Sequence, residues 1–385
     1  MASLNNSPDK VYYDLCISNL NGNLKGMPPP VLTYNETRSI PILYDPRSYY
    51  LSIVRFSLDT TTLPAFVPEI QLEQDDPNLS VYSFTLSWTD SSGITYDAQE
   101  FMKFIPQDET INIPSPPSRT VSGFQDTSTG YYNVYQFQYV VFLMNNTLSA
   151  CVKALAGKLP NGMTLPSMNA PVMAWDTDND RAVLYTDASG YDVSKTNSIK
   201  VYMNSNMTQL WNSFPLKIIS YSNSKDKGKN CQIITNSFGN TNTVPYPKAV
   251  PSYDAIITYQ ESSTIASMNP VTAIVFTSNT LPVVSENVSK PVVIYNGDTL
   301  KSTGNNNQIA NVITDLQLDG SYKPNILYEP YTYRLISLVG SRPISDIDVT
   351  VFWRDRVGRL NNFYLGAGST CTIKFLFSKR SSELA

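Results

Sequence analysis

Apolar and polar residues alternate with a period of two through most of residues 347–377. Ile347, Val349, Val351 and Trp353 stand against Asp348, Thr350, Phe352 and Arg354, the pattern of a strand whose odd positions face a core. Residues 355–359 supply a polar reversal, residues 360–365 resume the strand pattern, and Gly366-Ala367-Gly368 turns the chain again. The last run sets Cys371, Ile373, Phe375 and Phe377 against Thr370, Thr372 and Lys374, so the pattern predicts three consecutive strands of one antiparallel sheet. Residues 79–89 alternate as cleanly, with Tyr82, Phe84, Leu86 and Trp88 inward, and Asp90-Ser-Ser-Gly93 predicts a hairpin loop into Ile94, Tyr96 and Ala98. In residues 49–58, Leu51 and Ile53 fall on one face and Val54, Phe56 and Leu58 on the other. That strand is either covered on both faces or shifted in phase by a bulge.

The spacing changes in Phe137–Gly157, where Phe137, Val141, Met144, Leu148, Cys151 and Leu155 recur every three or four residues and predict a helix capped by Gly157. Asn145, Asn146, Thr147, Ser149 and Lys153 interrupt it, leaving no continuous apolar run of the roughly 20 residues that cross a bilayer. A second short helix is expected over residues 207–214. Further strands are expected at 181–185, 199–202, 216–221, 231–235, 253–259, 271–276, 292–295, 311–318 and 331–339. Residues 106–130 are rich in Pro, Ser, Thr and Asp and read as a long surface loop. No fixed-period repeat is present, so the expected class is mainly β, a single jelly-roll sandwich or barrel with a large mixed β/α insertion.

Residues 1–37 read as an N-terminal arm, interrupted by Pro28-Pro29-Pro30, in which only 11–17 alternate like a strand that could be lent to a neighbour. The expected domains are therefore this arm, a jelly roll made of 38–105 with 253–385, and an insertion at 106–252.

Composition removes most chemistry. The chain has no histidine, so Ser-His-Asp and Cys-His mechanisms are excluded, and carboxylate-only chemistry is what remains open. Net charge is -4, far from the basic balance of a protein that wraps nucleic acid. Cys16, Cys151, Cys231 and Cys371 form no CxxC pair and read as buried free thiols. Residues 1–10 are polar, with no apolar signal-peptide core, which points to intracellular synthesis.

Asp176, Asp178 and Asp180 have the spacing of a calcium loop, with Asp187 at the twelfth position. Arg181 stands where that loop needs glycine, and Asp187 where it needs glutamate, so a solvated acidic turn is favoured. Asp75-Asp76 and Asp355 between Arg354 and Arg356 read as surface charges, and the Lys225, Lys227, Lys229 patch as a solvated loop. No glycine loop for phosphate follows any strand. The expectation is no enzyme, no catalytic, cofactor or metal residues, no cofactor, no nucleic-acid site and no transmembrane segment.

Three stretches carry a family resemblance: Arg38-Ser-Ile-Pro through Asp45-Pro46 into residues 50–58, residues 347–355, and residues 369–379. Together they resemble minor capsid proteins of small icosahedral DNA viruses, and most of all the penton, or minor virion, protein of virophages. The resemblance implies a jelly roll standing as a homopentamer at each fivefold vertex, beside a double-jelly-roll major capsid protein, with 106–252 projecting outward. It implies a virion protein made in the host cytoplasm or viral factory, and it transfers no catalytic residues. The alternative is a carbohydrate- or receptor-binding jelly-roll module of the virion, with Tyr131, Tyr132, Tyr135, Tyr246 and Tyr253 as stacking surfaces.

Overall fold

The computed structural model describes residues 8–19, 31–107, 115–117, 125–127, 130–220, 228–236, 254–284, 286–287, 293–295, 299–301, 309–318, 325–332, 334–356 and 358–380. Two compact units emerge, Met1–Pro64 with Pro270–Ala385 and Ala65–Asn269. The first begins with β1 (Lys10–Ser18), β2 (Thr33–Thr37) and β3 (Tyr49–Asp59). The second holds β4 (Leu79–Thr89), β5 (Thr95–Lys103), α1 (Phe137–Gly157), β6 (Val172–Asp176), β7 (Arg181–Asp187) and α2 (Ala188–Tyr191). It continues through β8 (Lys200–Met203), α3 (Ser205–Leu210), β9 (Leu216–Ile218), β10 (Cys231–Ile233), β11 (Ala255–Tyr259) and α4 (Ile265–Met268). The chain then re-enters the first unit with β12 (Val271–Thr277), β13 (Glu286–Asn287), β14 (Val293–Tyr295), β15 (Thr299–Lys301), β16 (Ile309–Ala310) and β17 (Val312–Gln317). Last come β18 (Asn325–Tyr328), β19 (Ile336–Ser337), β20 (Asp346–Asp355), β21 (Leu360–Asn362) and β22 (Thr370–Lys379).

Two antiparallel sheets build the first unit. One runs β1-β22-β3-β18 with β19 also on β3, and the other runs β17-β12-β20-β2 with β21 also on β20. Leaving out β21 and the two-stranded pairs β13-β16 and β14-β15, and counting β18 and β19 as one interrupted strand, the chain-order numbers read 1-8-3-6 in one sheet and 2-7-4-5 in the other. First pairs with last, second with seventh and third with sixth or eighth, which is the connectivity of a long hairpin rolled up into a jelly roll. Leu15, Ile53, Phe56, Ile373 and Phe375 of the first sheet share one core with Ile274, Phe276, Val349, Val351 and Trp353 of the second. Trp353 and Phe375 thus lie in the same interior, as the alternation predicts.

The phase change in β3 is a bulge. Arg55 pairs with Lys374 and Ile53 with Phe375, so Val54 is the extra residue that lets Leu51, Ile53, Phe56 and Leu58 all reach one core. The end of the chain departs from expectation, because β20 and β22 lie in opposite sheets. The turn at 366–368 carries the chain across the sandwich, and only the three residues of β21 pair back on β20.

The residues read as an arm are also different in the structure. β1 pairs with β22 of its own chain along its whole length, from Lys10↔Ser378 to Ser18↔Thr370, and β2 pairs with β20. Tyr13, Leu15 and Leu32 bury apolar surface in the jelly-roll core, which offsets the cost of ordering this segment. As the edge strands of the two sheets, β1 and β2 are clasped together. The hydroxyls of Tyr13 and Tyr34 both donate to the Glu36 carboxylate, and burial followed by this carboxylate raises both phenol pKa values above the ordinary 10.0.

In the second unit a sheet ordered β5-β4-β8-β10-β9 packs against α1, and a three-stranded sheet β11-β7-β6 completes it. Strands β4 and β5 therefore belong here and not to the jelly roll, contrary to the expected boundary at residue 105. Their inward residues Phe84, Leu86, Ala98 and Met102 share a core with Val140, Leu143, Met144, Leu148 and Leu155 of α1. That helix has the predicted bounds. It is long and apolar enough to cross a bilayer, but half of its apolar window is buried within the unit, as a core helix requires.

Candidate assembly surface

None of the sequence features singled out for metal chemistry converges. Asp176 and Arg181 face each other at the hairpin joining β6 to β7, and the Asp176 carboxylate accepts from Asp178 N at 3.1 Å and Asn179 Nδ2 at 2.8 Å. Asp187 lies at the other end of β7, about 20 Å along the strand. There it accepts from Ser167 Oγ at 2.7 Å, Asn169 Nδ2 at 2.8 Å and Ser189 N at 2.9 Å. Burial pushes its pKa up, but these donors outweigh burial and hold it below the ordinary 3.8. Among the described residues no group of three or more Cys, Asp or Glu side chains is placed to hold a metal ion.

Other expectations sort by burial. Asp76 pairs with Lys103 at 2.8 Å on the surface. Asp355 is buried, not a surface charge: it accepts from Arg359 Nε and from the Arg359 backbone N–H, each at 2.8 Å, and so closes the β20–β21 turn. Lys229 is held by Asp97 at 2.5 Å and lies over the Tyr202 ring, while Lys225 and Lys227 are outside the described residues. Cys151, Cys231 and Cys371 are buried free thiols, but Cys16 is exposed because it points outward from the edge strand β1. Tyr131 and Tyr132 are core residues, their hydroxyls donating to Asn78 Oδ1 at 2.9 Å and Pro77 O at 2.8 Å, so they offer no stacking surface. Tyr135 is exposed, and Tyr246 and Tyr253 fall outside the described residues.

What the jelly roll does present is an apolar fringe along one sheet edge. Tyr328 pairs with Phe56 and Ile336 with Leu51, so the edge chain takes eight steps where β3 takes five. The surplus bulges outward around Glu329-Pro330-Tyr331, and proline at this place cannot continue a ladder. Leu327 is 72% exposed, Tyr331 is fully exposed, and Leu335 and Val339 are more than half exposed. Val339 N–H donates to Pro282 O at 2.8 Å, which sets the 61% exposed Val284 beside this edge. Ile40 and Tyr44, each 69% exposed, flank the bridge between Leu43 and Ile344. Large apolar side chains left exposed together on a folded unit make a candidate interaction surface. Sequence reasoning missed this margin, because residues 331–339 read as one ordinary strand. The visible signal was Pro330 inside an apolar run, which demotes a strand to an edge.

Comparisons with known proteins agree with this picture. The family model described as Sputnik minor capsid protein V18/19 matches residues 11–379. Two Sputnik virophage proteins are similar to the chain. Uncharacterized protein V18 is 33% identical over 142 residues, 37% of this chain and 81% of the relative. Structural protein V19 is 27% identical over 217 residues, 54% of this chain and 93% of the relative. Among solved structures, a chain of the Sputnik virophage determined by cryo-EM superposes with a TM-score of 0.75 at 25% identity, covering 97% of this chain and 98% of that one. The mavirus penton protein shares the fold with a TM-score of 0.59 at 16% identity, over 97% of this chain and 100% of that one. The family match runs from β1 to β22, and the chain belongs to the Sputnik minor capsid protein V18/19 family.

Proposed function

We propose that this chain is the penton subunit of a small icosahedral double-stranded DNA virus, five copies closing each fivefold vertex of the shell. The observation that carries this reading is the chain-long similarity to a protein resolved inside the Sputnik virion. The shared fold of the mavirus penton protein supports it. The jelly roll forms the ring, with the exposed margin of Leu327, Tyr331, Leu335 and Val339 covered by neighbours. The surrounding capsomers are a double-jelly-roll major capsid protein, and the subunit is made in the host cytoplasm or viral factory. A closed ring needs heterologous contacts between unlike faces of one chain. The isolated subunit is a monomer at micromolar concentration and closes into a ring when the shell holds it.

The test is a virion map with fivefold averaging. Vertex density that accepts the jelly roll with its β18–β19 margin buried supports the assignment. Vertex density that fits another chain overturns it.

A further inference from the structure

On the second unit, β4 takes four steps between Leu79↔Lys103 and Ser83↔Phe101 where β5 takes two. The two surplus residues leave the ladder and turn to the preceding segment, with Val81 N–H donating to Glu69 O at 3.0 Å and Gln71 N–H to Leu79 O at 2.8 Å. A bulge parts neighbouring strands and re-aims the side chains beside it. Here it opens a cavity of about 210 Å³ on the sheet face opposite the one that Ala98 and Met102 bury against α1.

Among the described residues, none that lines this cavity is charged. Amides dominate, from Gln71, Gln99, Asn204 and Asn206, beside the apolar faces of Val81 and Phe101. Asn204 is a fixed frame: its Oδ1 accepts from Ser83 N at 3.2 Å and Met207 N at 2.9 Å, and its Nδ2 donates to Val81 O at 2.7 Å. The other glutamines are anchored by nitrogen alone, Gln71 Nε2 to Ser80 O at 2.6 Å and Gln99 Nε2 to Ser83 Oγ at 2.9 Å. Each of those amides keeps its carbonyl oxygen as an acceptor, and Asn206 on α3 adds both a donor and an acceptor. Lys229 and Asp97 pair with each other at 2.5 Å.

This lining discriminates between ligand classes. A charged ligand finds no counter-charge among the described lining residues to offset its desolvation. An apolar one leaves the amides unpaired, which costs more than its contacts return. A neutral molecule with several hydroxyls satisfies both demands, since each hydroxyl donates to a carbonyl oxygen or accepts from an amide nitrogen, and a pyranose ring lays its C–H face on Phe101. We infer that this cavity binds one neutral sugar residue of a glycan. The inference stands on the second unit alone and is independent of the vertex assignment.

The experiment is saturation-transfer NMR on the full chain with glucose, galactose, mannose and N-acetylglucosamine, using glucosamine and N-acetylneuraminic acid as charged controls. Saturable binding of at least one neutral sugar is expected, weakened about tenfold by Asn206→Ala and by Gln71→Leu through the loss of one hydrogen bond each. Asn206 is half-buried on a short helix and makes none of the framing bonds, so Asn206→Ala keeps the wild-type Tm and decides the matter if Gln71→Leu lowers it. Absence of binding by all four neutral sugars overturns the proposal. So does binding unchanged in Asn206→Ala, or tighter binding of a charged control.

Discussion

The ring of Phe56 on β3 lies 4.8 Å, centroid to centroid, from the ring of Phe276 on β12, tilted by 52°. These are inner strands of opposite sheets, so this one contact joins the two layers of the jelly roll. Both rings are fully buried. Replacing Phe56 with Ala is expected to cost about 3–5 kcal/mol, and a cycle with Phe276→Ala to show a coupling of about 0.5–1.5 kcal/mol. Trp353 is the sole tryptophan in the first unit, because Trp88, Trp175 and Trp211 belong to the second. Urea unfolding of a variant retaining only Trp353 reads this unit separately, and a loss below about 1 kcal/mol in Phe56→Ala contradicts the shared core.

Asp348 contributes to the acid side of stability. Its carboxylate is buried and accepts from Ser278 Oγ, Thr280 Oγ1, Asn279 Nδ2 and the backbone N–H groups of Asn279 and Thr280, at 2.7 to 3.1 Å. Burial alone pushes its pKa up, but these donors prevail and lower it below the ordinary 3.8. A depressed carboxylate contributes stability that is complete above the unfolded value and drains away as pH falls through the folded one. Stability is therefore expected to fall below about pH 4. Asp348→Asn sets an amide N–H against these donors and costs about 1–3 kcal/mol at neutral pH while flattening the acid limb. Denaturation midpoints measured from pH 7 to 2 test this, and an acid limb as steep as in the wild type refutes it.

Removing residues 1–18 separates a tether from a structural strand. β22 would lose its partner along the whole ladder, and the core would lose Tyr13 and Leu15. The truncated chain is expected to aggregate or to melt well below the full chain when purified alone. An unchanged Tm by calorimetry would return the strand to the role of a dispensable arm.

The four thiols are expected to differ sharply in reactivity. Cys16 is exposed, whereas burial pushes Cys151 and Cys371 up to about 12 and leaves almost no thiolate at neutral pH. Brief iodoacetamide treatment of the native protein, read by peptide mass spectrometry, should label Cys16 alone. Equal labelling of Cys371 would mean that the β1–β22 pair opens readily.

Alternation and helical spacing were legible wherever one face of an element is apolar and the other polar, even where both are buried, as in β4. The inward faces of β4, β20 and β22 and both ends of α1 follow directly from side-chain spacing. Sheet membership was not legible. Nothing local in residues 79–103 distinguishes a strand that pairs with β8 from one that joins the jelly roll, because pairing is decided by distant residues. The same holds for β1, whose polar surroundings suggested an arm although Tyr13 and Leu15 anchor it. The candidate assembly surface was hidden for a different reason: exposed Leu327 and Leu335 carry the same apolar signal as core residues, and only the fold reveals which way they point.

Pairing of β1 with β22 also sets a timetable on the ribosome. Lys10 meets Ser378, so the earliest strand emerges hundreds of residues before its partner exists, while Ala65–Asn269 is contiguous and has every partner as soon as it clears the exit tunnel. The inserted unit is then the first to fold, and β1, β2 and β3 wait with bare edges until translation is nearly complete. A prematurely terminated product lacking β22 leaves β1 unpaired and one edge of β3 bare, and stays sticky and protease-sensitive. Both neighbours of β22 thus keep an open edge until that strand is made, and the jelly roll closes only then.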